Sequence, residues 1–454
     1  MTTQGLAGAG SRVIARLRSE SKRISRAVPG RRAGDVDESL ARELLRPIPP
    51  VGSTERSPTI VLLNDCRDQV NFGARALVDG LVSILHDRVP DATIVPVPSY
   101  YLIDASGGLD GFVNRGVGLR PPRAQYPIVA DEFEAVADEW MAGRGGPDAQ
   151  KILQMFDGAH LVLLNGEGSV YRRNLSAIRE LFLAWLAKTR LGIPTVYVNG
   201  TVHLTGVVPV LPAMVRKTFG AIDAVAVREP RSLQNLREYA PLVQPRIFPD
   251  SAFFLTPGDA VESDAVLKVR NQIGESPYFC LDPGPMPMDA NRGTDSALHQ
   301  LVKALALETP SAVFVCSAPA DEYMEKLAQE TGARYVDTLT DYREFMALTA
   351  DAAFLVTGRY HNPILAAIVG CPSITLGSTN HKVHGACDML EGTIGQPYDG
   401  TYLLPDIDRI VEQAHRYVVD RAAVGDRLHK ICSARREEVM GMGDLVKDAL
   451  RTTR

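Results

Sequence analysis

What this chain lacks narrows its function before any motif is read. Its 454 residues contain no apolar run of about 18 or more, so nothing in them reads as a membrane span. The N-terminus has no apolar core of the kind a secretory signal needs. The six cysteines, Cys66, Cys280, Cys316, Cys371, Cys387 and Cys432, are scattered and form no Cys-x-x-Cys pair. That argues against a zinc knuckle or a disulfide framework and fits a reducing cytoplasm. There is no excess of positive charge: the net charge of −5 leaves no basic field for tracking a nucleic acid backbone. Neither a G-x-S-x-G nucleophile elbow nor a G-x-x-x-x-G-K-[ST] phosphate loop occurs.

What is present suits an enzyme-sized globular protein. Hydrophobic residues make up 45% and charged residues 23%, enough for buried cores, and the length fits two domains. After the Pro47-Ile48-Pro49-Pro50 linker, short apolar runs alternate with helical patterns. Strands are expected at 59–63, 92–97, 161–164, 195–198 and 224–227, with helices at 73–85, 176–191 and 211–219 between them. Residues 101–146, rich in Gly, Pro and Arg, read as an irregular insertion ending in a helix near 131–141. A break at Thr256-Pro257-Gly258-Asp259 precedes a second alternating series, with strands near 278–281, 312–316, 334–336, 352–356 and 373–376. Alternation implies right-handed crossovers and parallel sheets. The expected fold is α/β: two doubly wound Rossmann-like domains facing a cleft, as in GT-B glycosyltransferases, with a helical C-terminal segment that crosses back. The boundaries expected are 1–50 for a basic tail and linker, 51–257 for an acceptor-side domain, 258–404 for a donor-side domain and 405–454 for the helical segment.

The most informative stretch is Thr357-Gly358-Arg359-Tyr360-His361-Asn362, where an apolar strand hands over to an Ala/Ile-rich helix. Ligands bind at the carboxyl ends of strands in open α/β sheets, and a helix N-terminus adds partial positive charge. Arg359 offers a fork of donors for phosphate or carboxylate, and His361 exchanges a proton near neutral pH. One βα unit later, Thr379-Asn380-His381-Lys382-Val383-His384 adds further cationic groups, a set suited to a small, multiply charged anion. His381 and His384 without matching acids, beside Lys382, do not make a metal site, and no metal is expected. In the first half, Asn165-Gly166-Glu167-Gly168-Ser169 places a carboxylate on a bare turn, suited to sugar hydroxyls or to acid/base work; a capping turn with Glu167 solvated is the structural alternative. Arg67, Asn71 and Gly73 follow the first strand, in a turn that suits an oxyanion or is merely a strand-to-helix connection. Arg228 closes a strand, Asp250 reads as fixing the turn between the halves, and His203 ends a strand near the cleft.

In this order and spacing the motifs resemble the polysaccharide pyruvyl transferase family over most of 59–400. Asn71-Phe72-Gly73 is similar to the family's Asn-x-Gly turn, and Asn165-Gly166-Glu167-Gly168-Ser169 to its glycine-rich turn. Val227-Arg228-Glu229 with Ser232 and Leu236 looks like its Val-Arg-Asp motif. Pro249-Asp250, Arg359-Tyr360-His361 and Thr379-Asn380-His381-Lys382 match its Pro-Asp, Arg-Leu-His and Tyr-Asp-x-Lys segments. Ala74 replaces an acid, and Asn165 and Glu167 replace glycines. The resemblance implies a GT-B-like fold and transfer of pyruvate from phosphoenolpyruvate onto sugar hydroxyls as a ketal, with no cofactor beyond that donor. It implies Arg359 as an anion binder, His361 as general acid or aid to phosphate departure, and Glu167 as acceptor binder or base. Arg228, Lys382, His381, His384, Asn165, Ser169, Asn71 and Arg67 would support binding. The partners implied are phosphoenolpyruvate and a polysaccharide or glycolipid acceptor, in the cytoplasm or at the inner face of the membrane. The eight Arg/Lys against one acid in residues 1–34 read either as a disordered tail or as a helix resting on an anionic membrane. The alternatives are a GT-B glycosyltransferase with a nucleotide-sugar donor, and a catalytically silent sugar-binding or scaffold protein.

Overall fold

A computed structural model describes residues 46–52, 57–68, 71–98, 124–168, 170–171, 175–204, 210–284, 296–317, 323–377 and 381–452. The basic segment 1–34, residues 101–123 of the insertion, Ser169, Thr379 and Asn380 lie outside these residues.

The first sheet has six strands: β1 (Thr59–Asp65), β2 (Thr93–Pro98), β3 (Leu161–Asn165), β4 (Thr195–Gly200), β5 (Ala224–Val227) and β6 (Arg246–Ile247). They run parallel in the order β2-β1-β3-β4-β5-β6. The second has five parallel strands: β7 (Tyr278–Asp282), β8 (Ser311–Val315), β9 (Arg334–Val336), β10 (Leu355–Thr357) and β11 (Ser373–Thr375), in the order β11-β10-β7-β8-β9. Central strands such as Leu161–Asn165 and Tyr278–Asp282 are buried along their whole length, because helices cover both faces and no position is left for a polar outward side chain. The order reverses once in each sheet, between β1 and β3 and between β7 and β10. Each reversal opens a crevice at the carboxyl edge, the place where doubly wound sheets bind ligands.

Local chemistry sets the helix ends. Asn71 caps the helix Phe72–Arg88 by accepting from the Gly73 and Ala74 amides. Asp341 and Glu344 form a capping box for Tyr342–Ala350, and Ser263 and Ser296 cap Asp264–Ile273 and Ala297–Glu308. The helix Phe72–Arg88 belongs to the first half yet meets the second: Phe72 packs near Phe345, Asp79 accepts from the Tyr342 hydroxyl at 2.9 Å, and Arg75 donates to the Thr340 carbonyl at 2.7 Å. After the helix Lys382–Met389 that follows β11 come three more, Ile407–Val419, Arg421–Val439 and Gly441–Arg451. The last returns to the first half, where Met442, Leu445 and Val446 join one core with Ile60, Leu62 and Val196.

The expected strands are all present, but several elements were not foreseen from sequence. The two-residue β6 is too short to carry a period, and Pro147–Phe156 lies against the irregular insertion. The helix Pro230–Tyr239 buries only Ser232 and Leu236, so its apolar stripe is thin. Asp264–Ile273 and Lys382–Met389 are short and begin in polar turns.

Gly80 marks how close the helix Phe72–Arg88 comes to the turn after Asp250: a Cβ there would run into the backbone carbonyl of Ser251. Alanine at a helix interior gains about 1 kcal/mol over glycine, whereas overpacking costs about 1–3 kcal/mol. A backbone carbonyl cannot rotate away, so the clash wins. Gly80→Ala is expected to lower the thermal midpoint, and a raised midpoint would show that the helix has room to shift.

Candidate functional site

The two reversals face each other, and the residues that follow their strands form one cluster. On the first sheet, Asn64 and Asn165 end β1 and β3 and exchange side-chain amides. Asn64 Nδ2 donates to the Asn165 carbonyl at 2.9 Å and the Glu167 carbonyl at 3.0 Å, and Asn165 Nδ2 donates to the Asn64 carbonyl at 3.0 Å. Asn64 takes a left-handed conformation, φ 60°, to make this exchange. Gly166 next along has no room for a Cβ, which would meet the ring of Tyr197. These restraints aim the Glu167 side chain at Arg228.

Arg228 follows β5 and is 1% exposed. Its Nη1 donates to Glu167 Oε2 at 2.7 Å and to Asp250 Oδ2 at 2.8 Å, and its Nε donates to Thr201 Oγ1 at 2.9 Å. The Tyr360 ring, from the second half, covers the guanidinium at 3.9 Å. His361 comes from the same turn and presses on Gly73, where any Cβ would strike the imidazole. Its Nε2 lies 3.6 Å from Asp250 Oδ2 and 3.8 Å from Glu167 Oε2, ion-pair distances too long for hydrogen bonds. Lys382 Nζ lies 4.0 Å from Glu167 Oε1 and 4.5 Å from the centre of the Tyr171 ring. Arg228 Nη2 and His361 Nε2 are buried and find no hydrogen-bond partner among the described residues.

Burial opposes the ionisation of Glu167, but Arg228, Lys382 and His361 outweigh it and hold the carboxyl far below the usual range. Asp250 is likewise buried, and His361 and Arg228 bring it below its ordinary value. Burial would weaken the charge of Arg228; Tyr360, Glu167 and Asp250 instead fix it more firmly. Burial pushes the Tyr360 hydroxyl well up, so the ring over Arg228 stays a neutral phenol.

The other sequence-predicted residues take separate places. Arg359 is turned within its own half: its Nε donates to Asp282 Oδ1 at 2.9 Å, while Asn362 Nδ2 and the Ser317 hydroxyl also donate to Asp282. His381 Nε2 sits 3.1 Å from Glu229 Oε1, and its Nδ1 sits 2.8 Å from His203 Nδ1, a second link between the halves. His384 points elsewhere, its Nδ1 3.0 Å from Gln396 Oε1. Arg67 pairs with Asp65, Asn71 is spent on its cap, and Asn165 on the amide exchange. Sequence reading did not single out Asp282, Tyr360 or Tyr171. Asp282 had a readable signal, an acid closing an apolar strand before Pro283-Gly284. Among the described residues no group of three or more His, Cys, Asp or Glu side chains is placed to hold a metal ion.

The sequence profile of the polysaccharide pyruvyl transferase family matches residues 71–380, more than half of the chain. No curated protein matches the chain. Solved structures share the fold at low identity. The UDP-GlcNAc 2-epimerase of Neisseria meningitidis, bound to UDP-GlcNAc, has a TM-score of 0.52 and 9% identity over 87% of this chain and 100% of its own. Anabaena HepE in complex with UDP gives 0.52 and 13%, and the sucrose-phosphate synthase of Thermosynechococcus elongatus 0.51 and 14%, each over 87% of this chain and 100% of the other. These likenesses establish a GT-B fold, matching the arrangement expected from sequence, and nothing about the ligand.

Removing Arg228 takes from Glu167 and Asp250 the cation that is hydrogen-bonded to both, a loss of about 3–5 kcal/mol. Arg228→Ala is therefore expected to unfold at clearly lower denaturant. Because both carboxyls sit below their unfolded values of 4.5 and 3.8, their stabilisation is complete above that range and is lost progressively as pH falls from it toward their lower folded values. Denaturant midpoints of the wild type should be flat from about pH 6 to 8 and decline below about pH 4.5; a decline centred near neutrality would assign the effect to another group.

Proposed function

Because the chain belongs to the polysaccharide pyruvyl transferase family, we propose that it moves pyruvate from phosphoenolpyruvate onto hydroxyls of a cell-surface polysaccharide or glycolipid sugar, forming a ketal. The observation that supports this most is the convergence of Arg228, His361 and Lys382, from both halves, on one buried point. Phosphoenolpyruvate carries a phosphate and a carboxylate and needs several cations to leave water. In the reaction, a proton adds to the donor's methylene carbon and makes its C2 oxocarbenium-like. One sugar hydroxyl adds to C2 and loses its proton. Phosphate then departs with the C2–O electron pair, a second hydroxyl closes the ketal, and its proton leaves with the phosphate.

His361 suits the proton delivery or the phosphate departure, since its imidazole lies within ion-pair distance of both carboxylates. Arg228 and Lys382 supply fixed charge that needs no reorganisation during the reaction. Glu167 stands where it can accept from an acceptor hydroxyl. Arg359, pinned by Asp282, acts through the geometry of the turn that carries His361. Phosphoenolpyruvate is a cytoplasmic metabolite, so this reading places the enzyme in that compartment, in keeping with the absence of a membrane-spanning helix among the described residues.

A nucleotide-sugar glycosyltransferase is the second reading, favoured by the fold shared with UDP-bound Anabaena HepE. Ligand-dependent melting separates the two. Phosphoenolpyruvate is expected to raise the melting temperature of the wild type and of Lys382→Arg, and to leave His361→Ala and Lys382→Ala little changed. A shift with UDP, GDP or CMP ligands and none with phosphoenolpyruvate would favour the glycosyltransferase, and no shift with either a silent scaffold.

A further inference from the structure

The charged groups of the cluster nearly cancel. Arg228 and Lys382 carry two positive charges, and Glu167 and Asp250 carry two negative ones, before any proton on His361 is counted. A site built to take a multiply charged anion should not already be neutral. The two carboxylates differ in how firmly they are held. Asp250 is fully buried and built into its turn, with Oδ1 accepting from the Ala252 amide at 2.9 Å. The Glu167 carboxylate accepts a single hydrogen bond among the described residues, from Arg228. Its side chain keeps 14% exposure, and it sits between Gly166 and Gly168, the latter at φ 72°. One carboxylate is structural and the other is able to leave.

Resting on the reading of this cluster as the donor site, we propose that Glu167 occupies the donor's anion position in the ligand-free protein. Donor binding displaces it from Arg228, which frees its carboxylate for the acceptor hydroxyl. One observation and two electrostatic arguments support this. Arg228 Nη2 and His361 Nε2 are buried and have no hydrogen-bond partner among the described residues, the mark of a place prepared for a further acceptor. A donor phosphate carries more charge than the carboxylate it replaces, so Arg228 and Lys382 lose nothing in the exchange. Held well below its ordinary value, Glu167 departs as an anion, not by taking up a proton. The consequence is order: the residue that meets the acceptor is occupied until the donor arrives.

The test is calorimetric titration of the wild type, Glu167→Gln and Glu167→Ala with inorganic phosphate, pyruvate and phosphoenolpyruvate at fixed ionic strength. Glutamine keeps the shape and an acceptor oxygen for Arg228, and melting curves without ligand check that each variant is folded. Breaking one charge-assisted hydrogen bond is the common cost of displacement. Both variants are therefore expected to bind all three anions about tenfold to a hundredfold more tightly, by a similar factor for each. Unchanged or weaker binding of inorganic phosphate would overturn the proposal. So would a gain much larger for phosphate than for pyruvate, since that scaling with ligand charge belongs to a Glu167 that stays in place and repels. The donor assignment fails separately: if the wild type binds UDP and not phosphoenolpyruvate, the phosphate titration of Glu167→Gln still decides whether Glu167 is displaced.

Discussion

The buried guanidinium of Arg228 is the constraint on which the rest of the site depends. Moving a guanidinium out of water costs several kcal/mol, and a buried ion pair seldom repays that cost with stability. Here the charge is answered four times, by Glu167, Asp250, Thr201 and the face of Tyr360. Three of those partners come from three turns of the first half, and the fourth comes from the second half. The contact that covers Arg228 is thus also a contact between the halves. Any shift of one half against the other strips Tyr360 from the guanidinium and moves His361 away from Asp250, so the site is whole only in the packed arrangement. A charge that contributes little to stability is well suited to this role, because it is selective about geometry.

A second link has a different character. Glu229, His381 and His203 alternate between the halves, and the close approach of the two imidazole Nδ1 atoms leaves room for one proton between them. Glu229 is held in turn by the Ser232 amide, as the cap of Pro230–Tyr239, and by the Ser232 hydroxyl. Gly385 keeps the helix Lys382–Met389 close, since a Cβ there would press on the Glu229 side chain. The position of Lys382 at the start of that helix is thereby tied to the same turn that begins with Arg228. The two links are one construction: Arg228 and Glu229 are adjacent residues, and their side chains clasp the two turns of the second half that carry His361 and Lys382.

Much of this was legible in the sequence, and the limits follow from the physics of each signal. Strands buried on both faces announce themselves as apolar runs, so all but β6 were readable, and the reversal of strand order makes their carboxyl ends the natural place for chemistry. Residue types at those ends nominated His361, Lys382, Glu167 and Arg228, which the structure brings together. What sequence does not encode locally is partnership. Arg359 and Arg228 look alike as strand-terminal arginines, yet Asp282 engages one within its own half and Glu167 and Asp250 engage the other in the cleft. Asp250 seemed to be a turn former and is one, through its bond to the Ala252 amide, while its other oxygen meets Arg228. His381 precedes the short helix that holds His384, three residues on, and their partners distinguish them: Glu229 and His203 for the first, Gln396 for the second.

The glycines carry the same lesson in negative form. Gly73, Gly166 and Gly385 are needed for what stands opposite them: the His361 imidazole, the Tyr197 ring and the Glu229 side chain. None of the three has a positive φ, so no turn geometry demands glycine there. Each marks a place where a side chain fills the volume a Cβ would take, and two of the three lie between the halves. The resemblance motifs centred on Asn71-Phe72-Gly73 and Gly166-Glu167-Gly168 therefore have a packing cause as well as a chemical one. Small residues let the halves close far enough for Arg228, His361 and Lys382 to meet at the Glu167 carboxylate. The charged cluster and the glycine-lined contacts are two descriptions of a single requirement, that charges from opposite halves meet within ion-pair distance of one another.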